Sequence, residues 1–468
     1  MSPPTYLAID IGASSGRHLL ATLEGGRIST REIYRFPNGV VDREGTLCWD
    51  SEALFSEILN GLKACNALGI IPTSIGIDTW GVDFALLDAD DRLLGPTVAY
   101  RDGRTEGAYE VIDARISPEA LYAATGIQRQ PFNTICQLVA LQRDRPDLLA
   151  KACSLLMMPD YFHWRLTGVK RQEYTNATTS QLVQAADADW DREVIRALGL
   201  PDHLFGALSM PGETVGCLRP EIAEAVGFNT RVVLPPTHDT ASAVVAVPAQ
   251  TDALYISSGT WSLLGAELSK PETSEAARQG NFTNEGGYLR RYRFLKNIMG
   301  LWMLQSVKKE FEAEGGNPLT FDQLSTGAQR SAVTTIIDCN QPAYFAPTSM
   351  REAIREGCRQ AGGAIPETPG DFASVVYRSL ADRYAKAVDE LEQIVGKRYD
   401  TLHIVGGGSK DSLLNALTAQ ATGKEIWTGP TEGTALGNLA VQMIADGRFP
   451  SLAEARDAIR RSFDVRRV

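Results

Sequence analysis

No cysteine in this chain has a partner close by in sequence. The seven, Cys48, Cys65, Cys136, Cys153, Cys217, Cys339 and Cys358, are scattered without a CxxC pair. That excludes the spacing of a zinc site and predicts reduced thiols in a cytosolic protein. No apolar run is long enough to span a membrane. The stretch Met1-Ser2-Pro3-Pro4-Thr5 lacks a basic n-region and leads straight into a strand, so no signal peptide is expected and the chain reads as cytoplasmic. Positive charge is in deficit: the formal net charge is -11, which argues against a general nucleic-acid binder. The rest is ordinary for a soluble globular protein, with 44% hydrophobic and 22% charged residues. A length of 468 residues suits two domains, each able to bury its own core.

The stretch with most to say is Pro236-Thr237-His238-Asp239-Thr240-Ala241. It follows the apolar run Val232-Val233-Leu234, read as a buried strand. It precedes a small-residue stretch, Ala241 to Val247, read as a closely packed helix. An acid at a strand-to-helix switch can reach a substrate in a cleft, and Asp239 is the candidate general base. The competing reading is a helix N-terminus with a capping carboxylate. His238 beside it is a structural histidine or a ligand contact.

Along the chain, Tyr6 to Ile11 is strand-like, Gly12-Ala13-Ser14-Ser15-Gly16-Arg17 breaks it, and His18 to Leu23 resumes. This is a hairpin loop, not a Walker-type strand-to-helix loop, and it has no lysine. Ile28 to Phe36 is a third strand. Asp50 or Ser51 caps a helix bearing Leu54, Phe55, Ile58, Leu59 and Leu62. Ser74 to Asp78 is a buried strand, followed by a corner at Trp80-Gly81-Val82-Asp83. Residues 104 to 230 read as helical and loop-rich, with Tyr174 to Thr179 a loop. After Val247-Pro248 the shape recurs: strand Ala253 to Ile256, loop Ser257-Ser258-Gly259-Thr260, strand Trp261 to Leu268. A boundary near 247 predicts domains 1–247 and 248–468. Asn297 to Phe311 is predicted as a helix with Gln305 about two turns along, and Phe372 to Val395 as a longer one. Leu402 to Val405 is a strand ending in Gly406-Gly407-Gly408. Ser409 then caps a helix stopped by Gly423, and Thr434 caps another stopped by Gly447.

Phosphoryl transfer from a nucleotide needs backbone N–H donors and hydroxyls around the phosphates, a metal, and a base for the acceptor's proton. The loop Gly12 to Arg17 offers two hydroxyls and a cation, with Asp10 just upstream. Ser257 to Thr260 offers a second set, and Gly406 to Gly408 allows close approach of a ligand to the backbone. Each loop alone also reads as a plain turn. Asp78 and Asp83 are sugar or metal contacts or simple turn residues. Asn297 is a hydroxyl donor or a helix cap. Trp80, Trp261 and Trp302 read as core or cleft wall.

Several stretches resemble the FGGY family of carbohydrate kinases over nearly the whole length. They are Asp10 to Arg17, Gly76 to Phe84, Ala99-Tyr100-Arg101-Asp102, Met158 to Phe162, Glu173 to Thr179 and His238 to Ala243. In the second half they are Ser257 to Leu263, Asn284-Glu285-Gly286-Gly287, Leu295 to Trp302 and His403 to Gly408. Two positions depart from the pattern of relatives: Gly433, more usually Ala, and His18. The resemblance implies an α/β protein with the actin-like ATPase (ribonuclease H-like) fold, two duplicated domains around an interdomain cleft. It implies ATP-dependent phosphorylation of L-rhamnulose on its 1-hydroxyl, with Mg2+.

Carried over by position, Ala13, Ser14, Ser15, Gly16 and Arg17 would hold ATP phosphates, and Thr260, Gln305 and Gly407 would also contact the nucleotide. Gly81, His238, Asp239, Thr240 and Asn297 would line the sugar. Asp239 would accept the proton, and Asp10 would lie near the metal, through water. The expected partners are a small-molecule ketose and ATP, with no nucleic acid and no membrane. The expected state is a monomer or small homo-oligomer whose halves close around both ligands. The rivals are another ketose kinase, such as one acting on L-fuculose, and a non-catalytic actin-fold sugar sensor.

Overall fold

The computed structural model describes residues 3–315, 318–345 and 347–468, so the Met1-Ser2 end of the leader reading lies outside it. The chain forms two compact units. The first comprises Met1–Ala246, Glu267–Phe294 and Gly433–Ser462; the second comprises Val247–Ala266, Leu295–Glu432 and Phe463–Val468. The chain first passes from one unit to the other between Ala246 and Val247. The division into 1–247 and 248–468 does not anticipate that two later segments rejoin the first unit.

The first unit is built on β1 (Thr5–Ile11), β2 (Ser15–Glu24), β3 (Arg27–Pro37), α1 (Ser51–Ala67), β4 (Ser74–Thr79), β5 (Thr214–Cys217), β6 (Arg231–Val233) and α2 (Asp239–Val245). The sheet order is β5-β6-β4-β1-β2-β3. β1 and β2 pair antiparallel as a hairpin, as the alternation and glycines predict, and β1 pairs parallel to β4. Both β1 and β4 are buried almost throughout, as expected of strands covered on two faces. Asp50 caps α1 by accepting from the Ala53 amide. A hairpin between β3 and α1, Val40–Arg43 with Thr46–Trp49, has no counterpart in the sequence reading.

The second unit repeats this order with β7 (Leu254–Ser258), β8 (Trp261–Leu268), β9 (Tyr292–Met299), α3 (Trp302–Ala313), α4 (Pro369–Val395), β10 (Thr401–Val405), α5 (Ser412–Thr422), β11 (Glu425–Thr428) and β12 (Arg466–Arg467), with α6 (Gly433–Ala445) lying between the last two in sequence only. Its strands lie in the order β9-β8-β7-β10-β11-β12. β7 and β8 form an antiparallel hairpin, and β7 pairs parallel to β10. The hairpin followed by a parallel neighbour is the arrangement of β2, β1 and β4.

Chain segment α6 belongs to the first unit, where it packs on α2. The contact is so close that a Cβ on Gly437 would lie 1.7 Å from the Ser242 carbonyl oxygen. The small residues of the Ala241 to Val247 stretch serve this approach.

Four expectations need correction. Asn297 lies on β9, not on a helix; Gly300 separates it from α3, which carries Gln305. The helical spacing of Ile298, Met299, Trp302 and Met303 runs across two elements. Tyr174 to Thr179 is not a loop but a short helix, Tyr174–Ala177, continued by a tight turn through Ser180. The buried Glu173 carboxylate accepts from the Thr175 and Asn176 amides and supplies the cap that the polar sequence lacks. Asp411, not Ser409, caps α5, accepting from the Leu414 amide, while Gly423 ends it as expected in the left-handed conformation. The helix expected to be capped by Thr434 begins at Gly433, one residue earlier, and a further helix, Leu452–Ser462, follows it.

His18, one of the two atypical positions, is fully buried, with Nε2 at 3.2 Å from the Ile58 carbonyl. Its ring fills the space over Gly61, where a Cβ would come within 2.2 Å of it.

Candidate active site

In the first unit the chemistry gathers at the carboxyl ends of β1 and β4 and at the start of α2. The parallel register sets Asp10 beside Asp78. Asp10 faces Arg17 across the hairpin, and Asp10 Oδ2 takes two hydrogen bonds from the guanidinium, at 2.7 and 3.0 Å. The candidate metal contact and the candidate phosphate cation therefore hold each other. Ser14 is exposed and Ala13, Ser15 and Arg17 are partly so, leaving the turn accessible. Its backbone is fixed from behind: the Asn38 amide donates to the Ser14 carbonyl and the Asn38 side chain donates to the Gly12 carbonyl.

Asp78 is wholly buried. Asn438 of α6 donates to its Oδ2 at 2.6 Å, while Oδ1 has no hydrogen-bond partner among the described residues. Burial, with Asp10 adding repulsion, holds its carboxyl well above the usual range.

The segment leading to Asp239 is held by several unrelated stretches. The Thr79 amide donates to the Thr237 carbonyl, and Thr79 bridges His238 as a parallel neighbour. Glu173 accepts from both the amide and the hydroxyl of Thr237. The His238 amide donates to Thr175 Oγ1, and Asn176 donates to the Trp80 and Thr237 carbonyls. His238 and Asp239 are thus set by buried polar groups, which makes their placement unique. Asp239 opens α2. Its Oδ1 accepts from the amide and hydroxyl of its neighbour Thr240, so the carboxylate is oriented locally and does not cap a later turn.

The Asp239 side chain keeps 31% of its surface open, enough for a substrate hydroxyl to reach it. Desolvation on its other sides raises its pKa. His238 opposes the rise, Asp10 adds to it, and the Thr240 bonds oppose it.

Gly81 lies just past β4, in the corner before Val82, which has φ 68°. A Cβ there would meet Thr179 at 3.0 Å. Asp83, by contrast, is a structural acid. It accepts from Trp49 Nε1, Trp80 Nε1 and the Tyr100 amide on one oxygen and from Gln137 on the other. Burial still pushes it up to about 6 against those four bonds. Its bonds and those of Trp80 place both in the core and not among the sugar contacts.

In the second unit, Thr260 and Gly407 are exposed and Gln305 is half-buried. Thr260 lies in the turn between β7 and β8, and that turn is touched by the neighbours of Gly407 and by Leu301, one helical turn before Gln305. Gly406 and Gly408 pack on Ser258, where Cβ atoms would lie 2.8 and 2.0 Å from its carbonyl and hydroxyl oxygens. The Gly259 and Thr260 carbonyls accept from the Leu301 and Trp302 amides, which begin α3, and the Gln305 amide continues from the Leu301 carbonyl. Asn297 is half-buried on β9 in this unit.

Sequence reasoning gave no role to Glu173, Glu285, Arg293 or Asn438. Arg293 and Asn438 each interrupt an apolar run, Tyr292 to Leu295 and Leu436 to Val441, which is the signal that marks them. Among the described residues no three His, Cys, Asp or Glu side chains gather as a metal-binding set. None of their helices is long and apolar enough to cross a membrane.

The model of the FGGY family of carbohydrate kinases, N-terminal domain, matches residues 5–246, and that of the C-terminal domain matches 254–445. The chain belongs to the FGGY family of carbohydrate kinases. It is 48% identical over 461 residues to a rhamnulokinase of Halalkalibacterium halodurans, covering 98% of each chain. It is 41% identical over 464 residues to a rhamnulokinase of Bacillus subtilis, covering 98% of this chain and 94% of that one. Its fold matches the ligand-bound xylulose kinase of Lactobacillus acidophilus with a TM-score of 0.81 at 15% identity, over 99% of this chain and 93% of that one. A glycerol kinase of Plasmodium falciparum with ADP gives 0.79 at 15% identity, over 99% and 94%. The fold is the two-domain, actin-like fold of this family, and the chain is an enzyme of the phosphotransferase class.

Proposed function

We propose that the chain acts as a rhamnulokinase, transferring the terminal phosphoryl group of ATP to the 1-hydroxyl of L-rhamnulose. The observation that carries this reading is the Asp239 carboxylate, fixed at the start of α2, partly open and raised in pKa by burial. A sugar hydroxyl is a weak nucleophile. Asp239 takes its proton as the bond to phosphorus forms, and the raised pKa makes it a better acceptor. Gly81, His238, Thr240 and Asn297 line the sugar. Ala13, Ser14, Ser15, Gly16 and Arg17 cradle the phosphates with backbone amides, hydroxyls and the guanidinium, while Thr260, Gln305 and Gly407 contact the nucleotide.

The residues present fit Mg2+. This ion keeps several waters and takes one or two carboxylates plus substrate phosphates, so it needs no all-protein cage. Asp10, with the partnerless oxygen of Asp78 beside it, supplies the acidic side of such a site. When bound, the ion would neutralise charge on the transferring phosphate.

A panel of ketoses with coupled detection of ADP tests the assignment. L-rhamnulose is expected to stimulate ADP release most. A clear preference for L-fuculose or another ketose would overturn the substrate, and no stimulation by any ketose would overturn the catalytic reading.

A further inference from the structure

Behind His238 lies a buried pair of charges that the reaction as described does not use. Arg293 is fully buried and Glu285 is 6% exposed. Arg293 Nε donates to the Gly286 carbonyl at 2.9 Å, which fixes the plane of the guanidinium. Its Nη2 lies 3.0 Å from His238 Nδ1 and 3.0 Å from Glu285 Oε2. Glu285 Oε2 is itself 3.3 Å from the same Nδ1. On the far side of the ring, His238 Nε2 stands 3.4 Å from Asp239 Oδ1.

We propose that Arg293 and Glu285 are positioning residues that hold His238 as the neutral tautomer with its proton on Nε2, the nitrogen on the Asp239 side of the ring. A guanidinium has only donors. A nitrogen that meets it at hydrogen-bonding distance must offer a lone pair, so Nδ1 is the acceptor and the ring proton is on Nε2. Glu285 neutralises the guanidinium, which lets a charge stay buried there. It is also the rival. Being an acceptor, it would draw a proton onto Nδ1 if Arg293 did not occupy that nitrogen. The two buried charges thus compete for one ring atom, and the arginine has the bond geometry.

The consequence lies at Asp239. A neutral imidazole with Nε2–H on that side sets only a partial positive charge near the carboxylate, whereas an imidazolium in the same place would stabilise the anion more strongly and weaken it as a base. The opposite tautomer would turn a lone pair toward the carboxylate and repel it. This inference rests on Asp239 being the base, and its own readout does not depend on turnover.

The chain has five histidines, so long-range 1H–15N spectra of histidine-labelled protein can be assigned, with His238→Gln identifying the signal in question. The wild-type protein at neutral pH is expected to show the Nε2–H pattern for His238. In Arg293→Met the pattern is expected to become that of Nδ1–H or of imidazolium. kcat should fall by about ten- to hundredfold, the scale usual for groups that orient a functional histidine, with the ketose KM moving less. Glu285→Gln keeps the arginine and is expected to keep the Nε2–H pattern; it decides the matter with the wild-type spectrum if Arg293→Met does not fold. An Nδ1–H or imidazolium pattern in the wild type would overturn the proposal. So would an Arg293→Met protein with an unchanged spectrum, or loss of the Nε2–H pattern in Glu285→Gln. A wild-type protein with the expected spectrum but no kinase activity would instead overturn the function and leave the tautomer standing.

Discussion

In the first unit the hairpin β1/β2 sets Asp10 opposite Arg17; in the second, β7/β8 sets Ser257 opposite Leu263 and Ser258 opposite Ser262. The neighbouring parallel strand repeats the contrast, with Asp78 beside Asp10 in one and Val405 beside Ser257 in the other. Even the support of the turn is analogous. The residues after β3 grip the first turn through Asn38, and those after β9 grip the second through the Leu301 and Trp302 amides. The same backbone plan therefore carries charge in one unit and only hydroxyls and amides in the other. Charge is what a proton acceptor and a metal contact need. Neutral donors suffice to hold a nucleotide.

The sharpest test of that division compares one change from each unit. Asp239→Asn removes the proton acceptor and keeps the shape. It is expected to lose about 10²–10⁴ in kcat, the range of general-base catalysis, with the ketose KM nearly retained. Thr260→Val removes one hydroxyl of the second turn. It is expected to raise the KM for ATP by about two- to tenfold, the worth of one hydrogen bond, and to spare kcat. Steady-state kinetics on both substrates separates the two. A larger kcat loss in Thr260→Val than in Asp239→Asn would reverse the assignment of roles.

The supports of the turns differ in a way that steric substitution exposes. A Cβ at Gly300 would lie 2.6 Å from the Trp261 carbonyl carbon and 2.7 Å from the Thr260 oxygen, both backbone. The three nearest atoms to a Cβ at Gly16 all belong to the ring of Phe36, from 2.1 Å. Relief at Gly16 needs a shift of the buried Phe36 side chain about its χ1, whereas relief at Gly300 needs the turn itself to move. Gly300→Ala is expected to cost about 1–3 kcal/mol of stability, as overpacking does, and to raise the KM for ATP. Gly16→Ala should cost less. Denaturation midpoints with ATP kinetics rank them, and equal effects would mean that the second turn is as yielding as a side chain.

What was legible in the sequence follows from range. Both hairpins could be read because alternation and glycines are local signals. Asp239 could be placed at the start of a helix because an apolar run gives way to small residues there. The charged surroundings of that acid could not. The bond from Asn438 to Asp78 joins residues 360 apart. Glu173 reaches Thr237 from 64 residues away, and Arg293 comes from a segment that leaves the second half of the sequence to rejoin the first unit. Asn297 was misplaced on a helix because an apolar period ran unbroken through Gly300, whose missing Cβ marks the crowded bend between strand and helix.

The contrast extends to buried charge. The second unit neutralises its acids. Glu390 meets Lys296 and Arg383, Glu392 meets Lys424 and Arg398, and both carboxyls are lowered in pKa by these partners despite the opposing desolvation. The first unit instead buries Asp78, Asp83 and Asp160 with raised pKa, and two neutral histidines. His163 is the simpler of the two to test. It is fully buried, and the Ile77 amide donates to its Nε2 at 3.0 Å, so its proton sits on Nδ1. Burial pushes its pKa down to about 3. The unfolded chain regains the ordinary value of about 6.5 and so binds a proton that the native protein refuses between those limits. Stability from this group is therefore complete above that value and is lost as pH falls. His163→Gln keeps an acceptor for Ile77 but cannot titrate. Between pH 7 and 5.5 the wild type is expected to lose about 1.3 kcal/mol more than the variant in urea denaturation. The raised carboxylates act in the opposite sense but are common to both proteins and cancel in the difference. Parallel curves over that interval would mean that the folded protein accommodates a charged His163, and that burial in the first unit is less strict than its polar core requires.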